Sequence, residues 1–230
     1  VPMVISNFAD SLPLELKAQG DDFGFKVDRD SWQFFGESVR IEGLPLPPGS
    51  PEIQLKNQSL ALAALEAWRP ELLADKDRLY AALEGAIPEG RFQILVKEHN
   101  VAGVVKRLEW VLDVGHNPQA IRALGANLDA LPAQATTVVL GMLEDKDVTA
   151  VVACLRSKVE RWIVTDVTAS RGQTAADLAI KLAAEGVNAE VVADNAEAFE
   201  LASDTAPSNG RVLVCGSFFV VGPVMQWLSM

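Results

Sequence analysis

Leu112-Asp113-Val114-Gly115-His116-Asn117-Pro118 is the stretch on which the reading of this chain turns. It follows the apolar run Leu108-Glu109-Trp110-Val111, which reads as a strand. Pro118 then opens a helical pattern with Ile121, Leu124 and Leu128 on one face. Proline suits the first turn of a helix because its missing N–H had no intrahelical partner there. Asp113, His116 and Asn117 are therefore expected at the carboxyl end of a strand and the mouth of a helix. Open α/β sheets bind their ligands at that position.

Outward from this stretch, the sequence after Arg91 alternates strand and helix. Strands are expected at 92–96, 108–114, 136–141, 161–166, 189–193 and 211–215, with helices at about 118–131, 146–158, 174–185, 195–205 and 221–229. Thr137-Val138-Val139-Leu140 and Val212-Leu213-Val214-Cys215 lack the alternation of a one-sided strand. Such runs imply burial on both faces. The order predicts an α/β fold with a doubly wound, mostly parallel sheet over 91–230.

Residues 1–90 read as an α+β region. A strand over 1–6 and a helix over 12–19 are expected first. Antiparallel strands follow at 23–27, 31–35 and 38–41, where apolar residues alternate between Asp, Arg and Gly positions. Leu44-Pro45-Leu46-Pro47-Pro48-Gly49-Ser50-Pro51 reads as a rigid loop, and helices are expected over 54–68 and 75–86. Ile87-Pro88-Glu89-Gly90 breaks the second of these and marks a domain boundary.

A chain of 230 residues can bury a sizeable core. Its net charge of −11 argues against nucleic acid or an anionic membrane surface as a partner. A phosphate ligand stays open, because local N–H groups and one arginine outweigh a distant acidic surface. Cys154 and Cys215 stand far apart without metal-ligand spacing and read as buried free thiols in a reducing cytoplasm. No apolar run is long enough to span a bilayer, and the N-terminus has no basic leader. The first residue is Val1 rather than Met, which either a processed protein or a piece of a longer one explains.

Several side chains are candidates for chemistry. His116 is either a capping or hydrogen-bonded residue or a ligand contact, since imidazole can donate to a carboxylate or phosphoryl oxygen. Asp113 can hold a ribose hydroxyl, orient His116 or cap the following helix. Arg91, next to Gly90 at the boundary, is a bidentate phosphate clamp or a surface residue. Asn57 is a helix cap or an amide that reads a base edge. Ser217, in Gly216-Ser217-Phe218-Phe219, follows the last strand on the same polar rim. Glu144-Asp145-Lys146-Asp147 is a solvated helix cap or a metal site, and His99 is expected in a solvated turn. There is no G-x-x-x-x-G-K-[ST] and no G-x-G-x-x-G opening a strand–helix unit. If this chain helps to bind a nucleotide, something else cradles the phosphates.

Gly90-Arg91-Phe92-Gln93, Leu112 to Pro118, Gly141-Met142-Leu143-Glu144-Asp145-Lys146-Asp147 and Val214-Cys215-Gly216-Ser217-Phe218 occur in one order. Together they closely resemble the bacterial dihydrofolate synthase/folylpolyglutamate synthase family, which is related to the Mur ligases. The resemblance runs the full length, and residues 54–65 resemble the helix carrying the family's adenine-side Asn. Gly115 departs from it, since the family commonly has Ala there. The resemblance implies ATP- and Mg²⁺-dependent joining of L-glutamate to dihydropteroate and folates through an acyl phosphate. It implies a Rossmann-like C-terminal, glutamate ligase domain over 91–230, preceded over 1–90 by a remnant of the ATPase domain. The P-loop, the metal ligands and the carbamylated lysine of that domain have no counterpart here. The chain therefore resembles the C-terminal half of such an enzyme, inactive without its N-terminal ATPase region. Carried over by motif, Asn57 contacts the adenine side of ATP, Arg91 the phosphates and Asp113 the ribose end. His116, as the catalytic residue, and Ser217 lie near the glutamate and the acyl phosphate. Two other readings are a non-catalytic nucleotide-binding module and half of a Mur-type ligase for a cell-wall precursor.

Overall fold

In this computed structural model, which describes residues 3–47, 51–86 and 88–229, the chain forms two compact units, Val1–Ile87 and Pro88–Met230. In the first, α1 (Met3–Asp10) precedes an antiparallel sheet of β1 (Gly24–Val27), β2 (Ser31–Phe35) and β3 (Arg40–Pro45). Helices α2 (Pro51–Trp68) and α3 (Lys76–Gly85) follow, separated by a 3-10 turn at Pro70–Leu73. Alternation along β2 sends Trp32 and Phe34 into a core with Leu55, Leu62, Leu79 and Leu83 from the helices. Gln58 Nε2 donates to the Leu83 carbonyl at 3.2 Å and ties α2 to α3.

Three expectations change in this unit. The strand expected over 1–6 is helical from Met3 onward, with Val1 and Pro2 outside the described residues. The β-branched pair Val4-Ile5 biases toward strand only weakly, and propensity of that size is readily overridden. The helix expected over 12–19 is absent, because α1 ends where Ser11 donates both its N–H and its hydroxyl to the Phe8 carbonyl. Pro13 then denies a new helix both an N–H and the helical conformation at Leu12. The loop expected over 44–51 starts later, since β3 runs through Pro45, and residues 48–50 lie outside the described residues.

The second unit contains the α/β sheet. β4 (Gln93–Val101) and β5 (Val104–Asp113) form an antiparallel hairpin. β6 (Thr136–Leu140), β7 (Arg161–Val164), β8 (Glu190–Val191) and β9 (Arg211–Cys215) are parallel to β5, in the spatial order β4-β5-β9-β6-β7-β8. One face packs against α4 (Pro118–Ala130), α5 (Val148–Leu155) and α6 (Ala175–Ala184), with Val138, Leu140 and Leu213 meeting Ile121, Leu124, Val151 and Leu178. The other packs against α7 (Asn195–Thr205) and α8 (Phe218–Ser229), with Val139, Val212 and Val214 meeting Phe199, Val220 and Val224. The sheet is thus doubly wound and mostly parallel, as the uninterrupted apolar runs imply. β5 feeds α4 on one face while its neighbour β9 feeds α8 on the other. The carboxyl ends of β5 and β9 therefore flank a topological switch point.

The hairpin corrects the reading of His99. Its turn is Ala102-Gly103, both residues at positive φ, as a two-residue hairpin connection requires. His99 lies within β4, and Trp110 Nε1 donates to its Nε2 at 3.0 Å. The imidazole stacks on Trp227 of α8 at 5.5 Å between centroids and 16° between planes. Burial lowers the pKa of His99 below the ordinary value of 6.5, and nearby Lys97 lowers it further. The fold therefore prefers the neutral ring, and the unfolded chain binds the proton more tightly. This stabilisation is present above the unfolded value and is lost as pH falls through the depressed folded one. His99→Gln keeps an acceptor for the indole without titrating. The wild-type advantage in Tm over that variant is expected to shrink as pH falls from about 7 to about 5, and a pH-independent difference would refute the reading.

Candidate active site

Asp113 and Cys215 are register partners at the ends of β5 and β9, so residues 113–117 and 216–219 leave the sheet from adjacent strands. Asn117 Oδ1 accepts the Ala120 N–H at 2.9 Å and caps α4, with Pro118 in the first turn. Asp113 is thus not the cap. Its buried carboxylate instead accepts the Gly115 N–H on Oδ1 at 2.6 Å and the Phe92 N–H on Oδ2 at 3.0 Å. Burial raises its pKa above the ordinary carboxylate value, against the opposing pull of those two donors and of the Arg91 charge. Each oxygen retains a second lone pair for a ligand. Burial also pushes the neighbouring Cys215 thiol far up, helped by the Asp113 charge, so it is inert.

His116 Nδ1 lies 2.9 Å from the Val114 carbonyl. A carbonyl only accepts, so Nδ1 carries the proton and Nε2 of the neutral ring carries the lone pair. The neutral ring at this position offers an acceptor through Nε2, and becomes a donor there only as imidazolium. Ser217 is buried, and its Oγ accepts the Phe219 N–H at 3.2 Å at the start of α8. Its hydroxyl hydrogen can still be donated.

Arg91 is half-buried, with its guanidinium carbon 5.8 Å from the centroid of the Phe218 ring. It sits between Gly90, at φ +71, and Phe92, at φ +46. Gly90 donates its N–H to Gln93 Oε1 and accepts from the Val114 N–H. Arg91, Asp113, His116 and Ser217 thus share the carboxyl edge of one sheet. Asn57 belongs to the first unit. It is exposed and lies well inside α2, so it is not a helix cap.

The other rim loops are structural. Asp147 caps α5 through the Ala150 N–H, and Asp145 pairs with Lys146 and Arg171. The Leu143↔Gly172 bridge joins the loops after β6 and β7. Among the described residues no group of three or more His, Cys, Asp or Glu side chains is arranged to hold a metal ion. A cavity of about 300 Å³ lies at the opposite, amino edge of the sheet, lined in part by Asp129, Gln134, Lys158 and Arg211. Sequence reasoning missed Phe218 as the partner of Arg91 and the left-handed turn that carries the arginine. Gly90 is the available signal, because glycine is the default residue where the backbone takes a positive φ.

A doubly wound sheet with an arginine and polar groups at its switch point places the second unit in the class of ligand-binding α/β domains. Residues 90–218 match the family described as Mur ligase, glutamate ligase domain, and the chain belongs to that family. It is 32% identical over 227 residues to the dihydrofolate synthase/folylpolyglutamate synthase of Escherichia coli (strain K12), covering 98% of this chain and 49% of that protein. The Haemophilus influenzae enzyme of the same name is 31% identical, with 96% and 52% covered. Among solved structures, E. coli FolC in complex with DHPP and ADP superposes with a TM-score of 0.78 at 31% identity, covering 99% of this chain and 51% of that one. A bifunctional folylpolyglutamate synthase/dihydrofolate synthase with Mn, AMPPNP and L-glutamate bound gives 0.79 at 30% identity, with 100% and 51% covered. The chain spans about half the length of these relatives.

Gly90 cannot be replaced cheaply. A Cβ there would stand 2.8 Å from Val221 Cγ1 and 3.1 Å from Val114 Cγ1, at a φ that L side chains avoid. Gly90→Ala is expected to cost about 1–3 kcal/mol, read as a lower denaturation midpoint. An unchanged midpoint would mean that this turn is not held as described.

Proposed function

We propose that this chain is the C-terminal part of an ATP-dependent ligase that joins L-glutamate to dihydropteroate and to folates through an acyl phosphate. One observation carries the reading: Arg91, Asp113, His116 and Ser217, each inside a motif resembling that family, lie on one switch-point rim. In such a reaction a carboxylate oxygen attacks the terminal phosphorus of ATP and ADP leaves. The glutamate amine then attacks the acyl carbon, phosphate leaves, and the nitrogen gives up a proton.

In this reading the Arg91 guanidinium balances charge on the transferring phosphoryl oxygens. Asp113 meets the ribose end of the nucleotide, and Asn57 meets its adenine side. Ser217 donates its hydroxyl hydrogen to the glutamate or to the acyl phosphate. His116 Nε2 takes the proton released by the attacking nitrogen. An acyl phosphate hydrolyses readily, so a domain that closes and excludes water protects it until the amine arrives.

The printed ligands of the related structures, ADP, AMPPNP, Mn, DHPP and L-glutamate, support nucleotide, divalent metal and glutamate as the ligand classes. Among the described residues no group of His, Cys, Asp or Glu side chains is arranged to hold the metal, and the sequence has no P-loop motif. We therefore assign the phosphate cradle and the Mg²⁺ ligands to an N-terminal ATPase region of the same protein, with residues 1–90 as the tail of that region. The net charge of −11 disfavours nucleic acid and an anionic membrane surface as partners, and two free cysteines fit a cytoplasmic protein.

Two measurements test the proposal. The isolated chain is expected to show no glutamate-dependent ADP release, and robust turnover would contradict the division of labour. In a full-length ligase carrying this half, Arg91→Ala is expected to lower kcat by about 100-fold while Tm moves by no more than a few degrees. Parallel losses of both would mark Arg91 as structural.

A further inference from the structure

Phe92 holds a backbone conformation that a phenylalanine adopts only under constraint, at φ +46. It lies one residue from the arginine on which the phosphate reading depends. A bulky residue in that region is strained and persists only where its surroundings over-determine it. Three constraints are visible. The Phe92 ring is buried among Val111, Ile121 and the other side chains under α4. The Gly90 carbonyl is tied to the Val114 N–H at 2.8 Å. The Phe92 N–H is held by Asp113 Oδ2.

We propose that Asp113 is a positioning residue for Arg91: its carboxylate locks the Gly90–Gln93 turn in its left-handed form, and the turn delivers the guanidinium onto the Phe218 ring at the rim. The other oxygen of the same carboxylate holds the Gly115 N–H, one residue before His116. One side chain therefore fixes both the segment that enters the sheet with Arg91 and the segment that leaves it with His116. Phe218 completes the arrangement. It is 58% exposed at the first position of α8, and its ring face offers the guanidinium a cation–π contact.

This role adds to the ribose contact, since each Asp113 oxygen uses only one lone pair on the backbone. The use to which Arg91 is put rests on the ligase reading. Its placement does not, and the test needs neither ligand nor turnover.

The test is NMR on the whole 230-residue chain. In the wild type the Arg91 side-chain protons are expected upfield of their ordinary positions, shifted by the Phe218 ring, and Phe218→Leu should remove that shift. In Asp113→Ala the Phe92 amide should exchange about tenfold faster or more, and Arg91 should lose at least half of its upfield shift. The Val220 and Val224 methyl resonances on the opposite face of the sheet should stay in place, which reports an intact fold. Asp113→Asn is the milder second variant. It has one acceptor for two N–H groups, and it gives the same readout if the alanine variant does not fold. A folded Asp113 variant that keeps the wild-type Arg91 shift overturns the proposal, as does a wild type in which Phe218→Leu changes nothing. Loss of the shift combined with wild-type kinetics in a full-length enzyme would leave the positioning intact and remove the ligase role of Arg91.

Discussion

Two backbone N–H groups converge on the carboxylate of Asp113, and the candidate site is organised by that convergence. Each bond to a charged acceptor contributes about 1.5–3 kcal/mol net, and both donors come from segments with no regular secondary structure to hold them. Removing the acceptor would strand two donors near a buried position, so the rim depends on one side chain. The carboxyl sits against an opposing burial effect that raises its pKa. The arrangement is stable because donors are fixed around the charge, with Arg91 close enough to add to them.

The rest of the second unit gives this carboxylate a rigid base. β5, β9 and β6 are covered on both faces, and their alternating side chains feed two separate cores. A register slip would move the side chains of these strands into the opposite core, whose close packing they do not fit. The ends of β5 and β9 are thereby fixed relative to each other, and the residues following them inherit the precision. Phe92 belongs to one of the cores, so the turn that carries Arg91 is anchored by apolar packing as well as by hydrogen bonds. Strain at Phe92 and burial of its ring are opposite sides of one local balance.

Much of this was legible in the sequence. Uninterrupted runs such as Val212-Leu213-Val214-Cys215 marked central strands, and Pro118 behind Asn117 marked the start of α4, because burial on two faces and helix capping leave direct signatures in residue type. What was hidden depended on partners far along the chain. Nothing near His99 announces that Trp110 and Trp227 will enclose it, so its polar neighbourhood reads as a turn. The strand expected over 1–6 fails for the opposite reason, because a short apolar run has no periodicity to separate strand from helix. Asp113 was recognisable as important, but its two bonds to backbone were not. They arise from how the chain re-enters the sheet at residue 92, which no local spacing encodes.

In the proposed ligase this rim supplies half of an active centre, with the phosphate cradle contributed by a preceding region of the same polypeptide. Sequencing the reading frame upstream of the codon for Val1 tests it most directly. The expected result is an in-frame region containing G-x-x-x-x-G-K-[ST], a motif absent from this sequence. An in-frame stop close upstream, or an unrelated domain fused at that point, would contradict it.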